Sequence, residues 1–152
     1  NLLLTLRNCG LNTRRHFTYA YNRRGSAYRV KDEFDNAIRD YNTAIQIQPD
    51  DPYVYNRRGK AYREKGEFDN AIRDYNTAIQ IQPDYTYAYY NLGITWLRLQ
   101  EWEKAKSDLT TAQNMGVDII TSFHNDYVSV ADFEQKTDIQ LPPDIAEMLT
   151  PK

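Results

Sequence analysis

Apolar positions in the middle of the chain recur at helical spacing. Tyr55, Gly59 and Tyr62 are separated by steps of four and three, with Ala61 beside them, so they share one face of a helix running from about Val54 to Lys65. Gly66 then supplies a turn. A second stripe, Ala71, Ile72, Tyr75, Ala78 and Ile79, predicts a helix from about Phe68 to Gln82. Pro83 ends it, because proline cannot continue the helical hydrogen bonding, and Pro49 does the same earlier in the chain.

The pattern is periodic. Glu33–Asp50 reads EFDNAIRDYNTAIQIQPD, and the same letters return from Glu67 to Asp84, 34 residues later. Extending the frame gives repeats at 18–51, 52–85 and 86–119, and the first two differ at only six of 34 positions. Two short helices cannot bury their stripes alone, so neighbouring units are expected to stack.

The repeated residues carry a specific resemblance. Helix A of each repeat has an aromatic, a small residue four later and an aromatic three after that: Tyr21, Gly25 and Tyr28; Tyr55, Gly59 and Tyr62; Tyr89, Gly93 and Trp96. Helix B has Ala37, Tyr41, Ala44 and Pro49, then Ala71, Tyr75, Ala78 and Pro83, then Ala105, Leu109 and Ala112. This resembles the tetratricopeptide repeat family over about two-thirds of the chain. The resemblance implies an all-α, right-handed α-solenoid of helix-turn-helix repeats. Glycine and alanine stand where helices A and B must approach closely. Two departures stand out. Arg24 and Arg58 replace the usual leucine, which repeat three keeps as Leu92. Each arginine is expected to lay its stem along the helices with its head in water. Val117 replaces the closing proline of repeat three, so Gly116 is the expected left-handed terminator.

Outside the frame, residues 1–17 read as an irregular or short-helix lead-in. Leu2, Leu3, Leu4 and Leu6 would either cover the first repeat or pair with another chain. Residues 120–152 read as a helical C-terminal cap or tail. Phe123 falls in the aromatic slot, but Tyr127 stands where a small residue should be. Ser129 is a candidate N-cap for a short helix from about Val130 to Lys136 carrying Phe133. Pro143 or Asp144 opens a last helix with Ile145, Met148 and Leu149 on one side. The tail is expected to hide the end of repeat three, with a separate docking element as the alternative.

Composition narrows the chemistry. The 152 residues carry a net charge of −2, which argues against bulk attraction to nucleic acid or membrane. Thirteen tyrosines against five phenylalanines suit surfaces that are half core and half interface. Cys9 is the single cysteine, so no intrachain disulfide forms; a reduced thiol is expected, with an intermolecular bridge as the alternative. Arg7 and Asn8 stand where a lipoprotein signal would need small residues, and the apolar run is too short to span a bilayer. Asn1 rather than Met opens the sequence, which leaves room for an upstream segment. This end does not fix localisation, and a cytoplasmic setting is favoured.

No catalytic constellation is visible. His16 and His124 lack partners at metal-ligand spacing, and His124-Asn125-Asp126 point in different directions on a helix. Asp35 with Arg39, and Asp69 with Arg73, read as exposed four-apart pairs. Asp40 and Asp74 also sit in helix B, where a solvated face is expected rather than an acid–base pair. The chain is not expected to be an enzyme, and neither a metal nor a cofactor is expected.

In the family resembled, repeat positions 2, 5, 6, 9, 12 and 13 face a concave groove. Carried over, repeat one contributes Tyr19, Asn22, Arg23, Ser26, Arg29 and Val30. Repeat two contributes Tyr53, Asn56, Arg57, Lys60, Arg63 and Glu64, and repeat three Tyr87, Tyr90, Asn91, Ile94, Leu97 and Arg98. The set holds six bases and one acid in a chain that is acidic overall. Tyr19, Tyr53 and Tyr87 recur at one position, asparagines offer donors and acceptors to a peptide backbone, and arginines can grip carboxylates. The implied function is a protein–protein interaction module that binds an acidic peptide or protein in a basic, tyrosine-lined groove, a free C-terminus being one acidic group it would suit. A solvated arginine-rich face, duplicated with its repeat, is the blander reading. Structural self-assembly into a homo-oligomer is the alternative function, and single-stranded nucleic-acid binding ranks below it. Some relatives grip chaperone C-termini with lysine, asparagine and arginine. Here Asn22 and Ser26 stand in the first repeat's lysine and asparagine slots, and Tyr87 and Asn91 replace the third repeat's lysine and arginine, so that function does not carry over.

Overall fold

The computed structural model describes residues 2–151, with side chains from residue 13 onward. Among them the chain is all-α, in nine helices: α1 Leu2–Val30, α2 Phe34–Ile47, α3 Pro52–Lys65, α4 Phe68–Ile81, α5 Thr86–Arg98, α6 Trp102–Asn114, α7 Ile119–Asp126, α8 Val130–Thr137 and α9 Pro143–Met148. α1 packs on α2, α3 on α4 and α5 on α6, the helix–turn–helix pairs that α-solenoids stack. The helices fall into two compact units, one ending at Gln82 and one beginning at Pro83. The lead-in assigned to residues 1–17 enters helix α1, which starts at Leu2 and runs without a break to Val30. The side chains of Leu2, Leu3, Leu4, Leu6 and Cys9 lie outside the described residues.

Each A helix ends in the same way. Asp32, Gly66 and Gln100, one repeat apart, all take a left-handed conformation, with φ of 59°, 89° and 59°. The next amide then folds back: Glu33 donates to the Tyr28 carbonyl at 3.0 Å, Glu67 to Tyr62 at 2.8 Å and Glu101 to Trp96 at 3.0 Å. This is a Schellman closure, and only repeat two places a glycine at its left-handed residue. Gly116 has φ of 97° just after α6, as the sequence expects. Some starts are capped by side chains. Asp51 accepts from the Tyr53 amide at 3.0 Å ahead of Pro52, and Ser129 accepts from Asp132 at 3.1 Å at the start of α8.

Close approach of A and B explains the helix-A glycines. A Cβ on Gly25 would lie 2.9 Å from the Tyr41 ring, one on Gly59 2.7 Å from the Tyr75 ring, and one on Gly93 2.6 Å from Leu109 Cγ. The core of the first unit gathers Ala37, Ile38, Tyr41 and Ala44 of α2 with Val54 and Ala61 of α3. In the second unit, Tyr90, Ile94, Leu97, Ala105 and Leu109 are buried in one cluster with Phe123, Phe133, Leu141, Ile145 and Leu149. Helices α7 to α9 thus close over the third repeat.

Several charged side chains depart from the sequence expectation. Arg24 and Arg58 do not simply end in water. Arg24 donates to Asp40 from Nε and Nη2 at 2.6 and 2.7 Å. Arg58 donates to Asp74 in the same way at 2.7 and 2.6 Å. Asp40 and Asp74 are buried rather than solvated. The expected pairs within helix B are not formed either: Asp35 is ion-paired to Lys65 of α3 at 2.8 Å, and Arg73 donates to Asn70 at 3.3 Å. Asp35 thus takes a tertiary partner, whereas Arg73 bonds a residue one turn back in its own helix.

Candidate functional site

The residues assigned to a groove divide between the two units. In the first, α1 and α3 present Tyr19 and Tyr53, which are 64% and 50% exposed. The Arg23 guanidinium lies 5.9 Å from the centre of the Tyr19 ring, a cation–π contact made by an exposed arginine. Arg57 donates from Nη1 to Ser26 Oγ at 2.8 Å, so a side chain of repeat two is held by one of repeat one. Ser26 Oγ in turn shares a 3.1 Å hydrogen bond with the Tyr41 hydroxyl. Burial pushes the Tyr41 pKa up, against the pull of Ser26, Arg29 and Arg57, which keeps the hydroxyl protonated. Asn22 keeps its side-chain oxygen buried and unpartnered among the described residues, while its backbone carbonyl accepts from Ser26.

The basic count of this face is smaller than the sequence suggests. Arg29 donates from Nη1 to both oxygens of Glu64 at 2.7 and 2.8 Å, so these charges cancel. Arg63 and Asn56 are buried, and Lys60 is half-buried. Arg23 and Arg57 are the exposed arginines of the set, and Val30 is also exposed.

In the second unit, Tyr87 is 55% exposed, at the same repeat position as Tyr19 and Tyr53. The other assigned residues of α5 point elsewhere. Tyr90, Asn91, Ile94 and Leu97 are buried, and Arg98 is half-buried. The Tyr90 hydroxyl donates to Asp126 at 3.4 Å, and its ring joins Ile94 and Leu97 in the cluster with α7 to α9. This part of the assigned face is core. A signal for it stood in the sequence: Ile94 and Leu97 replace Lys60 and Arg63, and Tyr90 replaces Asn56. Apolar residues at positions that are polar in the sister copies mark a covered face.

The arginine–aspartate pairs were not anticipated, and they also mark the break between copies. Arg58 adds a third bond, from Nη1 to Asn42 of α2 at 2.6 Å. In repeat three, where Leu92 replaces the arginine, Asp108 instead accepts from Trp96 Nε1 at 2.9 Å. Burial pushes the Asp108 pKa up, against that hydrogen bond. Among the described residues no cluster of histidine, cysteine and acids could hold a metal, and no helix is long and apolar enough to cross a membrane.

Comparison with known proteins bears on this geometry. A family model described as TPR repeat matches residues 25–62 and 59–100, together half of the chain. Among solved structures, the TPR2B domain of yeast Sti1 in a complex named for pHsp70 is 26% identical with a TM-score of 0.64, over 66% of this chain and 80% of that one. The first TPR of Spaghetti (RPAP3), bound to the HSP90 peptide SRMEEVD, is 27% identical with a TM-score of 0.64, over 66% of this chain and 82% of that one. MamA is 28% identical with a TM-score of 0.61, over 64% of this chain and 57% of that one. No curated protein matched the chain.

Proposed function

The chain belongs to the tetratricopeptide repeat family, and from that premise we propose that the first unit binds an acidic peptide on the face that carries Tyr19, Arg23, Tyr53 and Arg57. The family's repeats form a protein-interaction fold, and two of the similar structures are complexes named for a chaperone or its peptide. The peptide SRMEEVD in one of them carries three acids and one base. One observation carries the reading for this chain: Arg57 is fixed by Ser26 of the preceding repeat, which holds its guanidinium in place on the helix that also presents the exposed Tyr53. A positioned guanidinium loses less freedom on gripping a carboxylate than a loose one does. Tyrosine rings then supply contact area at low entropic cost. Tyr87 is the corresponding exposed aromatic of the second unit.

An array of acidic peptides, followed by calorimetry on the best binder, tests this. Arg23→Glu with Arg57→Glu should abolish binding while circular dichroism shows the helices intact. Unchanged affinity in that double variant would sink the proposal. Arg63 is unsuitable for the test because it is buried, and its replacement would disturb folding.

A further inference from the structure

Repeats one and two of the first unit are near-copies, so one shows what the other lacks. In repeat two, one face of α3 is closed by α2. Val54 is fully buried in a cluster with Ala37, Ile38, Tyr41 and Ala44, and Arg58 Nη1 donates to Asn42 Oδ1 at 2.6 Å. The same positions in α1 are Ala20 and Arg24. Arg24 holds Asp40 as Arg58 holds Asp74, and it lies 5.3 Å from the Tyr21 ring where Arg58 lies 5.5 Å from Tyr55. The machinery is the same, but among the described residues no helix covers it as α2 covers α3. The Arg24 side chain is 58% exposed against 18% for Arg58, Phe17 is 56% exposed, and Ala20 is exposed where Val54 is buried. Arg24 Nη1 has no acceptor among the described residues. Phe17, Ala20, Tyr21 and Arg24, at helical steps of three and four, line an open recess of about 260 Å³.

We propose that this recess docks an amphipathic helix from a partner chain, built like α2: a stripe of alanine and isoleucine with an amide or carboxylate placed to accept from Arg24 Nη1. The contact between α2 and α3 supplies the chemistry, because it joins the same donor set to that kind of helix within this molecule. Charge complementarity points the same way. The charged group of the recess is a guanidinium with an N–H to spare, which favours an acceptor-bearing helix and disfavours a basic one. Two copies joined face to face would offer guanidinium to guanidinium and leave both without acceptors. The surface is distinct from the face carrying Tyr19, Arg23 and Ser26, which lies on another side of α1.

The probe is a fluorescein-labelled peptide of residues 33–50, the segment that forms α2, titrated against the full chain by anisotropy. Saturable binding is expected. Ala20→Asp should weaken it about tenfold or more, and Ala20→Val, which restores the residue of repeat two, should tighten it several-fold. Asn42→Leu in the peptide should also cost about tenfold, the value of a hydrogen bond to a charged group. Arg57→Glu should leave it unchanged. Absence of saturation at about 1 mM peptide, the weak limit of specific docking, or indifference to Ala20→Asp, overturns the proposal. Loss through Arg57→Glu instead assigns the peptide to the tyrosine-bearing face and also overturns it. So does sedimentation showing that the chain alone dimerises in a manner abolished by Ala20→Asp, which gives the recess to a second copy.

Discussion

Arg58 and Asp74, sixteen residues apart, are locked by two parallel hydrogen bonds of 2.7 and 2.6 Å on the inner side of the second repeat. The aspartate is almost fully buried, so its charge has exchanged water for this one guanidinium. Removing the arginine alone leaves a buried carboxylate without compensation. Arg58→Leu should therefore destabilise the chain by about 3 kcal/mol. Arg58→Leu combined with Asp74→Leu should recover most of that loss. Urea unfolding of the single and double variants checks both.

Repeat three shows the other solution, and it predicts a pH dependence. Asp108 has no arginine; it accepts from the Trp96 indole, and burial raises its pKa. A carboxyl whose folded pKa lies above its unfolded value favours the folded state most when protonated. Its contribution is complete below the unfolded value and is lost as pH rises through the folded one. Asp108→Asn keeps an acceptor for the indole and removes the charge. It should raise the melting temperature near pH 7 and lose that advantage in acid, near pH 3. Thermal melts at the two pH values decide it, and an equal gain at both would contradict the assignment.

The left-handed residue after each A helix offers a stabilising change. Gln100 and Asp32 occupy a conformation that Gly66 adopts without steric penalty. Gln100→Gly should stabilise by about 0.5–1 kcal/mol, the strain relieved less the added freedom of the unfolded chain. Asp32→Gly should gain less, because aspartate tolerates this region better. The midpoint of chemical denaturation measures both.

Glycines inside the A helices predict the opposite sign. Gly59→Ala gains helix propensity of about 1 kcal/mol but places a Cβ 2.7 Å from the buried Tyr75 ring. Overpacking costs of about 1–3 kcal/mol should dominate. Gly25→Ala, with 2.9 Å available against Tyr41, should be the milder of the two. Their relative melting temperatures provide the check.

Cutting the chain before α7 should expose Tyr90, Ile94 and Leu97 together, because their cover comes from Phe123, Phe133, Ile145 and Leu149. Strong binding of an apolar dye and self-association are expected of a truncated chain. Phe133→Ala in the full chain should cost about 3–5 kcal/mol through cavity formation. Calorimetry would show it.

The repeat frame, the glycine contacts, the turn at Gly66 and the cap at Ser129 were all legible in the sequence, because each rests on neighbours in the chain or on a strict period. What escaped depended on partners brought together by packing. Sixteen residues separate Arg24 from Asp40, a distance that no helical spacing rule joins. Arg29 meets Glu64 only because repeats one and two sit side by side, which cancels two charges that the sequence count treated separately. Burial of Tyr90, Ile94 and Leu97 was legible in principle. It required comparing sister copies for the positions where they differ, whereas a family-wide position rule treats every copy alike.

The bond from Arg58 to Asn42 bears on how such a chain can lengthen. Any further copy of residues 52–85 inserted beside the original would bring its own arginine and, as Asn76, its own amide. Donor and acceptor are inherited together, so gene duplication supplies a ready-made junction without any compensating mutation. Leu92 in repeat three ends that inheritance. Growth by tandem copying is therefore chemically open within the first two repeats and closed beyond them, which fits two fresh copies followed by one that has drifted.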